Sequence, residues 1–289
     1  KFDIIYFRDE LLALTAVFTK KILRKKVFFE SHSVLENKLR QKLNLLAVHN
    51  SDGIIAISTG LKNHYEPLNK NVLLSLCSAA EVTWFDYSRD INEFRKELNL
   101  PQEKYLIGYT GVVGANPNND YYEIDDIVRS LTVLPKNVVF VIVGEINGNA
   151  DWLRRVARDN DVENRVIIVL WQERNIIPKY LQAFNVISVP KRKKDLVGDS
   201  PAKMFPALAS KRPIIGGRSE SITEVLTDRF DALIVKQNNS KGWAEAILEI
   251  YNDGNLAKKL VDQAWVTKDK YTWEKRGVAI ADFIKKLTN

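Results

Sequence analysis

The chain holds one cysteine, one methionine and three histidines in 289 residues. With Cys77 alone, no internal disulfide forms and no thiolate metal site can be assembled, and the usage fits a reducing compartment. The histidines, His32, His49 and His64, lack H-x3-H spacing, which argues against zinc. Long apolar runs are missing too, since none approaches the ~20 residues of a membrane span. RNP, zinc-finger and helix-turn-helix signatures are absent, so nucleic acid ranks last among partners. What is present is a globular balance, 45% hydrophobic and 27% charged, in a chain long enough for two domains. Lys and Arg together number 43 against 36 Asp and Glu, a net charge of +7. That excess attracts anions such as a sugar nucleotide or an anionic membrane face.

Short apolar runs of β type alternate with helical patterns along the whole length. Phe2 to Tyr6, Val27 to Phe29, Ile54 to Ser58, Tyr105 to Tyr109, Val138 to Val143, Val166 to Leu170 and Asn185 to Val189 read as strands of parallel sheets with crossover helices. An exposed polar stretch, Tyr87 to Glu103, reads as an interdomain linker. The expected domains are residues 1–88 and 103–271, followed by a last helix at 272–289. Leu11 to Leu23 reads as a helix ending in Lys20, Lys21, Arg24, Lys25 and Lys26. Cations there complement the helix dipole; the alternative is a basic, apolar helix lying on an anionic membrane.

Candidate binding groups collect after strands, where open parallel sheets hold their ligands. Glu30-Ser31-His32 follows the second strand. A lone histidine is more often structural, yet a polar triplet at that end faces a ligand crevice rather than a core. Gly108-Tyr109-Thr110-Gly111-Val112-Val113-Gly114 is a turn that lets backbone approach a diphosphate, a weak pattern on its own. Ser58 and Thr59 either cap a helix or meet a phosphate, and capping is the safer reading. Trp171 and Gln172 close a strand, and Trp171 either stacks on a base or plugs the core. The stretch from Asn185 to Gly217 gathers most of the remaining chemistry. It runs from a strand through the cations Lys191 to Lys194, then Asp199 and Ser200, to a helix opened by Pro201. Free N–H groups at such a helix start suit an anion.

Ser200-Pro201-Ala202-Lys203-Met204-Phe205, with Ala209-Ser210-Lys211-Arg212-Pro213-Ile214-Ile215, resembles the S-P-x-K-L-F-E-Y-M-A-x-G-K-P-I-V segment of GT-B glycosyltransferases of family 4. The resemblance extends in order from Phe2 to the end, through F-x-x-H at Phe29 to His32, G-I-x-E-x-I at Ile222 to Leu226 and F-S-W-E at Tyr271 to Glu274. It implies an α/β GT-B fold: two Rossmann-like domains with parallel sheets facing across a cleft, the N-terminal one lacking its first part and completed by the last helix, 272–289. It also implies a retaining, metal-independent transferase of polysaccharide or glycolipid biosynthesis, cytoplasmic or peripheral on the inner membrane face. A UDP- or GDP-linked sugar would be the donor, a glycan or lipid-linked molecule the acceptor, and no further cofactor is needed. His32 and Lys203 are the implied catalytic groups. Gly111, Gly114, Asp199, Ser200 and Lys203 would hold the donor phosphates, and Trp171 with Gln172 the base. The chain departs from the pattern at three places. The E-x7-E glutamates fall on Gly198 and Pro206, and the phosphate-gripping arginine falls on Val112. These departures leave a second expectation open, a catalytically impaired binding or assembly subunit of the same fold.

Overall fold

In a computed structural model, the chain is described at residues 2–34, 37–76, 79–113, 123–145, 150–191, 198, 200 and 202–288. It divides into two compact units. The first comprises residues 1–78, 195–200 and 271–289, the second 79–194 and 201–270.

The first unit runs β1 (Ile4–Phe7), α1 (Ala13–Lys21), β2 (Lys26–Ser31), α2 (Lys38–His49), β3 (Gly53–Ala56), α3 (Thr59–Tyr65) and β4 (Val72–Leu74). In the second follow α4 (Ile91–Glu97), β5 (Tyr105–Thr110), α5 (Ile124–Ser130), β6 (Val138–Glu145), α6 (Asp151–Asp159), β7 (Val166–Leu170), α7 (Ile177–Ala183), β8 (Val186–Val189), α8 (Met204–Ala209), β9 (Ile214–Gly216), α9 (Glu220–Thr223), β10 (Leu233–Ile234), α10 (Ser240–Asn252) and α11 (Gly254–Thr267). The chain closes in the first unit with α12 (Trp273–Thr288).

Among the described residues, the first unit has a four-stranded sheet in the order β1-β2-β3-β4, every pair parallel. The central strands β2 and β3 are buried almost throughout, as the middle of a helix-covered parallel sheet requires, whereas β1 at the edge leaves Ile4 and Tyr6 exposed. All four residues of β3 are buried. Phe283 of α12 packs edge-on to Phe28 of β2, with ring centroids 6.2 Å apart, so the last helix seals this sheet. The Ser58 hydroxyl accepts the Leu61 amide at 3.3 Å and caps α3, which settles the choice left open for it.

The second unit has a six-stranded sheet in the order β10-β9-β8-β5-β6-β7, again all parallel. Strand β6 is buried over its whole length, whereas β7 at the sheet edge is half-exposed. The order reverses at β5. Strand β6 lies on one side of it and β8 on the other, so the loops leaving β5 and β8 diverge and open a crevice at their carboxyl ends.

The stretch expected to link two domains is an integral part of the second unit. A capping box between Asp90 and Glu93 starts α4, Phe94 and Arg95 are buried in it, and α4 packs on α7. The Arg95 guanidinium donates to the Ala183, Gln102 and Lys104 carbonyls and to Asn185 Oδ1. A stretch rich in charge reads as solvent-exposed when its partners are distant in sequence.

Candidate functional site

In the second unit, the crevice between β5 and β8 collects Gly111 and Lys203. Lys203 is the N-cap residue of α8. Its Nζ lies 3.0 Å from the Tyr109 hydroxyl and 4.5 Å from the ring centroid. That hydroxyl donates onward to the Val112 carbonyl at 3.1 Å. Gly111, with φ +150°, sits beside the pair, and a Cβ there would come within 2.9 Å of the Tyr109 hydroxyl and 3.2 Å of the lysine ammonium. Gly144 at the end of β6, φ +130°, is pressed against it: a Cβ would stand 2.2 Å from the Gly111 carbonyl oxygen. The two glycines thus keep the loop after β5 bare next to a fixed cation. One expectation changes in detail. The Gly111 amide donates to the Val143 carbonyl at 2.9 Å, extending the ladder, so what Gly111 supplies is the absence of a side chain rather than a free donor.

The helix expected to open at Pro201 begins at Met204 and has six residues. Ser200 therefore lies ahead of it and clusters with the first unit. Among the described residues its hydroxyl is shielded from solvent with no hydrogen-bond partner. Pro206 occupies the third position of α8, where a helix amide has no intrahelical acceptor, so the ring costs no ladder bond. At Gly198, φ is +97°, and a Cβ would meet the Leu61 side chain at 2.9 Å and the Ser33 Cα at 3.0 Å. A glutamate at that position would be strained by the backbone conformation and crowded by Leu61 and Ser33. Gly114, Asp199 and Arg192 to Lys194 lie outside the described residues. Lys191 is described, and its carbonyl accepts the Glu123 amide at 2.9 Å.

Trp171 and Gln172 follow β7, two strands from β5. Trp171 is 58% exposed, which rules out the core-plug alternative. Gln172 turns its amide to the Leu170 carbonyl at 3.2 Å. Beside Trp171, whose amide donates to its carbonyl at 2.7 Å, Glu145 is buried and gripped by Arg154 through two bonds of 2.8 Å. Those bonds hold its carboxyl below the usual range, against the opposing effect of burial.

In the first unit, His32 follows β2 and its side chain is 29% exposed. Its Nε2 lies 2.6 Å from Glu30 Oε1. The other carboxylate oxygen of Glu30 accepts from the Tyr6 hydroxyl and from Arg276 Nη2, the latter at 2.7 Å. Arg276 Nε donates to the Leu76 carbonyl at 2.8 Å. Burial alone pushes the Glu30 carboxyl up, but the bonds from His32, Tyr6 and Arg276 outweigh it and bring the group from 4.5 to about 2. Burial, together with the Glu30 carboxylate, raises the Tyr6 phenol. Glu30 and Arg276 carry no role in the sequence reading. The first was within reach, because residues two apart on a strand share a face and Glu30 stands two before His32. The second comes from 246 residues away.

Two parallel-sheet Rossmann-like units of this kind make a GT-B fold. Solved structures of that fold align with the chain nearly end to end. HepE of Anabaena, solved with UDP, matches at TM-score 0.85 with 14% identity, over 99% of this chain and 79% of that one. Sucrose-phosphate synthase of Thermosynechococcus elongatus matches at TM-score 0.79 with 17% identity, over 99% and 74%. The family model for glycosyl transferases group 1 matches residues 90–265, and the chain belongs to that family. A D-inositol 3-phosphate glycosyltransferase of Stackebrandtia nassauensis is 20% identical over 186 residues, 62% of this chain and 41% of its own. The chain spans less than half the length of the curated relatives it matches.

Proposed function

We propose that the chain is a retaining glycosyltransferase of the family 4 type that moves a sugar from a UDP- or GDP-linked donor to a glycan or lipid-linked acceptor. One observation carries the reading: a cation, Lys203, held on Tyr109 beside the bare Gly111 backbone where the second sheet reverses its strand order. A fixed ammonium at that place suits a departing diphosphate, whose growing charge it neutralises without a metal. Gly111, Gly114, Asp199 and Ser200 border the phosphates in this reading, and the unpartnered Ser200 hydroxyl supports a hydrogen bond to one of them. Trp171, exposed at the end of β7, offers a face for the base with Gln172 beside it. His32 hydrogen-bonds a hydroxyl of the reacting sugar. HepE, solved with UDP-glucose as well as UDP, supports uridine as the first nucleotide to try.

The acceptor side of the reading includes a membrane. Helix α1 buries Ala13, Ala16 and Thr19 and turns Leu14 and Phe18 outward. Lys20 and Lys21 close the helix, Ile22 just beyond it is exposed too, and Arg24 and Lys25 follow, with Lys20 paired to Asp52 and Lys25 to Asp3. An apolar face beside a cluster of cations fits the inner, anionic face of a cytoplasmic membrane, with the protein peripheral on it. Among the described residues no helix is long and apolar enough to cross a membrane.

A second reading, a binding or assembly subunit without turnover, is favoured by one observation: Gly198 and Pro206 stand where the resemblance places donor-binding glutamates. Calorimetric titration with UDP and GDP in the absence of metal separates the two. Micromolar binding of one nucleotide, weakened about tenfold in Lys203→Ala, is the result expected for the transferase. Absence of binding by both is the result expected for the subunit reading.

A further inference from the structure

Glu30 is an acceptor with fully assigned oxygens. Ionised throughout the neutral range, it has no proton to give. Its Oε2 receives the Tyr6 hydroxyl and Arg276 Nη2, and its Oε1 faces His32 Nε2. The proton on that contact therefore belongs to the imidazole, and Nε2 is the protonated nitrogen. Among the described residues nothing bonds Nδ1.

We infer that Glu30 is a positioning residue for His32: it fixes the ring as the Nε2–H tautomer and leaves Nδ1 as a hydrogen-bond acceptor for a sugar hydroxyl. The inference rests on the role given to His32 above and narrows it, because an acceptor nitrogen meets an O–H and cannot donate to an oxyanion while the ring is neutral. Arg276 and Tyr6 keep the carboxylate from rotating, so the closing helix α12 takes part in setting the tautomer of a residue just after β2.

The chain carries three histidines, one of which is a built-in reference. His49 Nδ1 lies 2.8 Å from the Leu45 carbonyl, an oxygen that only accepts, so His49 holds the opposite tautomer. Long-range proton–nitrogen NMR on histidine-labelled protein, at a pH where ordinary imidazoles are neutral, reads each ring separately. The expected wild-type result is a protonated Nε2 and bare Nδ1 for His32, with the reverse for His49.

The isosteric variant Glu30→Gln makes the decisive comparison. Its one carbonyl oxygen goes to the two donors Arg276 and Tyr6, which turns the amide NH2 towards His32 Nε2. Nε2 then has to accept, and His32 changes to the Nδ1–H tautomer while His49 stays as it was. Glu30→Ala removes the restraint altogether, so the His32 ring interconverts between its two tautomers through water and its two nitrogen shifts move towards each other. A wild-type His32 with its proton on Nδ1 overturns the inference, and so does an unchanged His32 pattern in Glu30→Gln. No substrate enters the measurement, so a failure of the donor titration leaves this result standing, and the reverse holds too.

Discussion

The two units are built from the same material, parallel strands of uninterrupted apolar residues, yet they place their candidate groups by different means. In the second unit the position follows from topology. The order β10-β9-β8-β5-β6-β7 reverses at β5, and Lys203 needs only an aromatic hydroxyl and a bare glycine beside it. The first sheet, β1-β2-β3-β4, runs in sequence order and opens no such crevice among its described strands. There the position of His32 is set by charge, through a buried carboxylate tied to Tyr6 and Arg276. The difference teaches where each candidate site is fragile: the first at a single carboxylate, the second at its backbone.

The largest effect is expected at that carboxylate. Glu30→Ala leaves Arg276 without its buried partner and should cost about 3 kcal/mol, read by urea unfolding. The same group sets a pH dependence. Its folded value is depressed to about 2, so its stabilisation is present above the ordinary glutamate value of 4.5 and lost as pH falls from there towards 2. Thermal midpoints between pH 5 and pH 2 should therefore drop more steeply in the wild type than in Glu30→Gln. Equal slopes would break the claim that charge organises the first unit.

On the other side of the comparison, Gly144→Ala tests the backbone of the second unit. With φ +130° and the Gly111 oxygen 2.2 Å from the new methyl, it should destabilise by about 2 kcal/mol and weaken nucleotide binding with it. Lys203→Ala is expected to lower affinity for the bound nucleoside diphosphate by about tenfold, measured by calorimetry, with little loss of thermal midpoint. A large midpoint loss without an affinity change would make Lys203 a packing residue. The smallest effect belongs to Trp171→Ala. More than half exposed, it should change stability by less than about 0.5 kcal/mol. Loss of base stacking worth about 1 kcal/mol should still be visible in affinity.

The architecture was legible because its signals are local. Apolar runs of strand length, separated by helical patterns, require parallel sheets with crossovers, and β1, β2, β3, β5, β6, β7 and β8 fall on the seven runs named. Ser58 as a helix cap was equally readable, since a hydroxyl at that position satisfies amides of its own first turn. The stretch 87–103 misled because buried cations look like surface ones until their acceptors are known, and Arg95 finds two of its acceptors as far off as Ala183 and Asn185. The start of α8 misled because Pro201 signals a first helical turn that the chain begins three residues later, at Met204.

By itself, then, the sequence determined the class of sheet, the helices between its strands and the residue types that follow each strand, all consequences of hydrophobic period and turn chemistry within a few residues. Tertiary structure alone decided that the strand order reverses at β5, that Gly111 gives its amide to Val143, and that a helix at the far end of the chain supplies Arg276 to Glu30. Those outcomes depend on contacts across tens to hundreds of residues, for which no local propensity carries a signal.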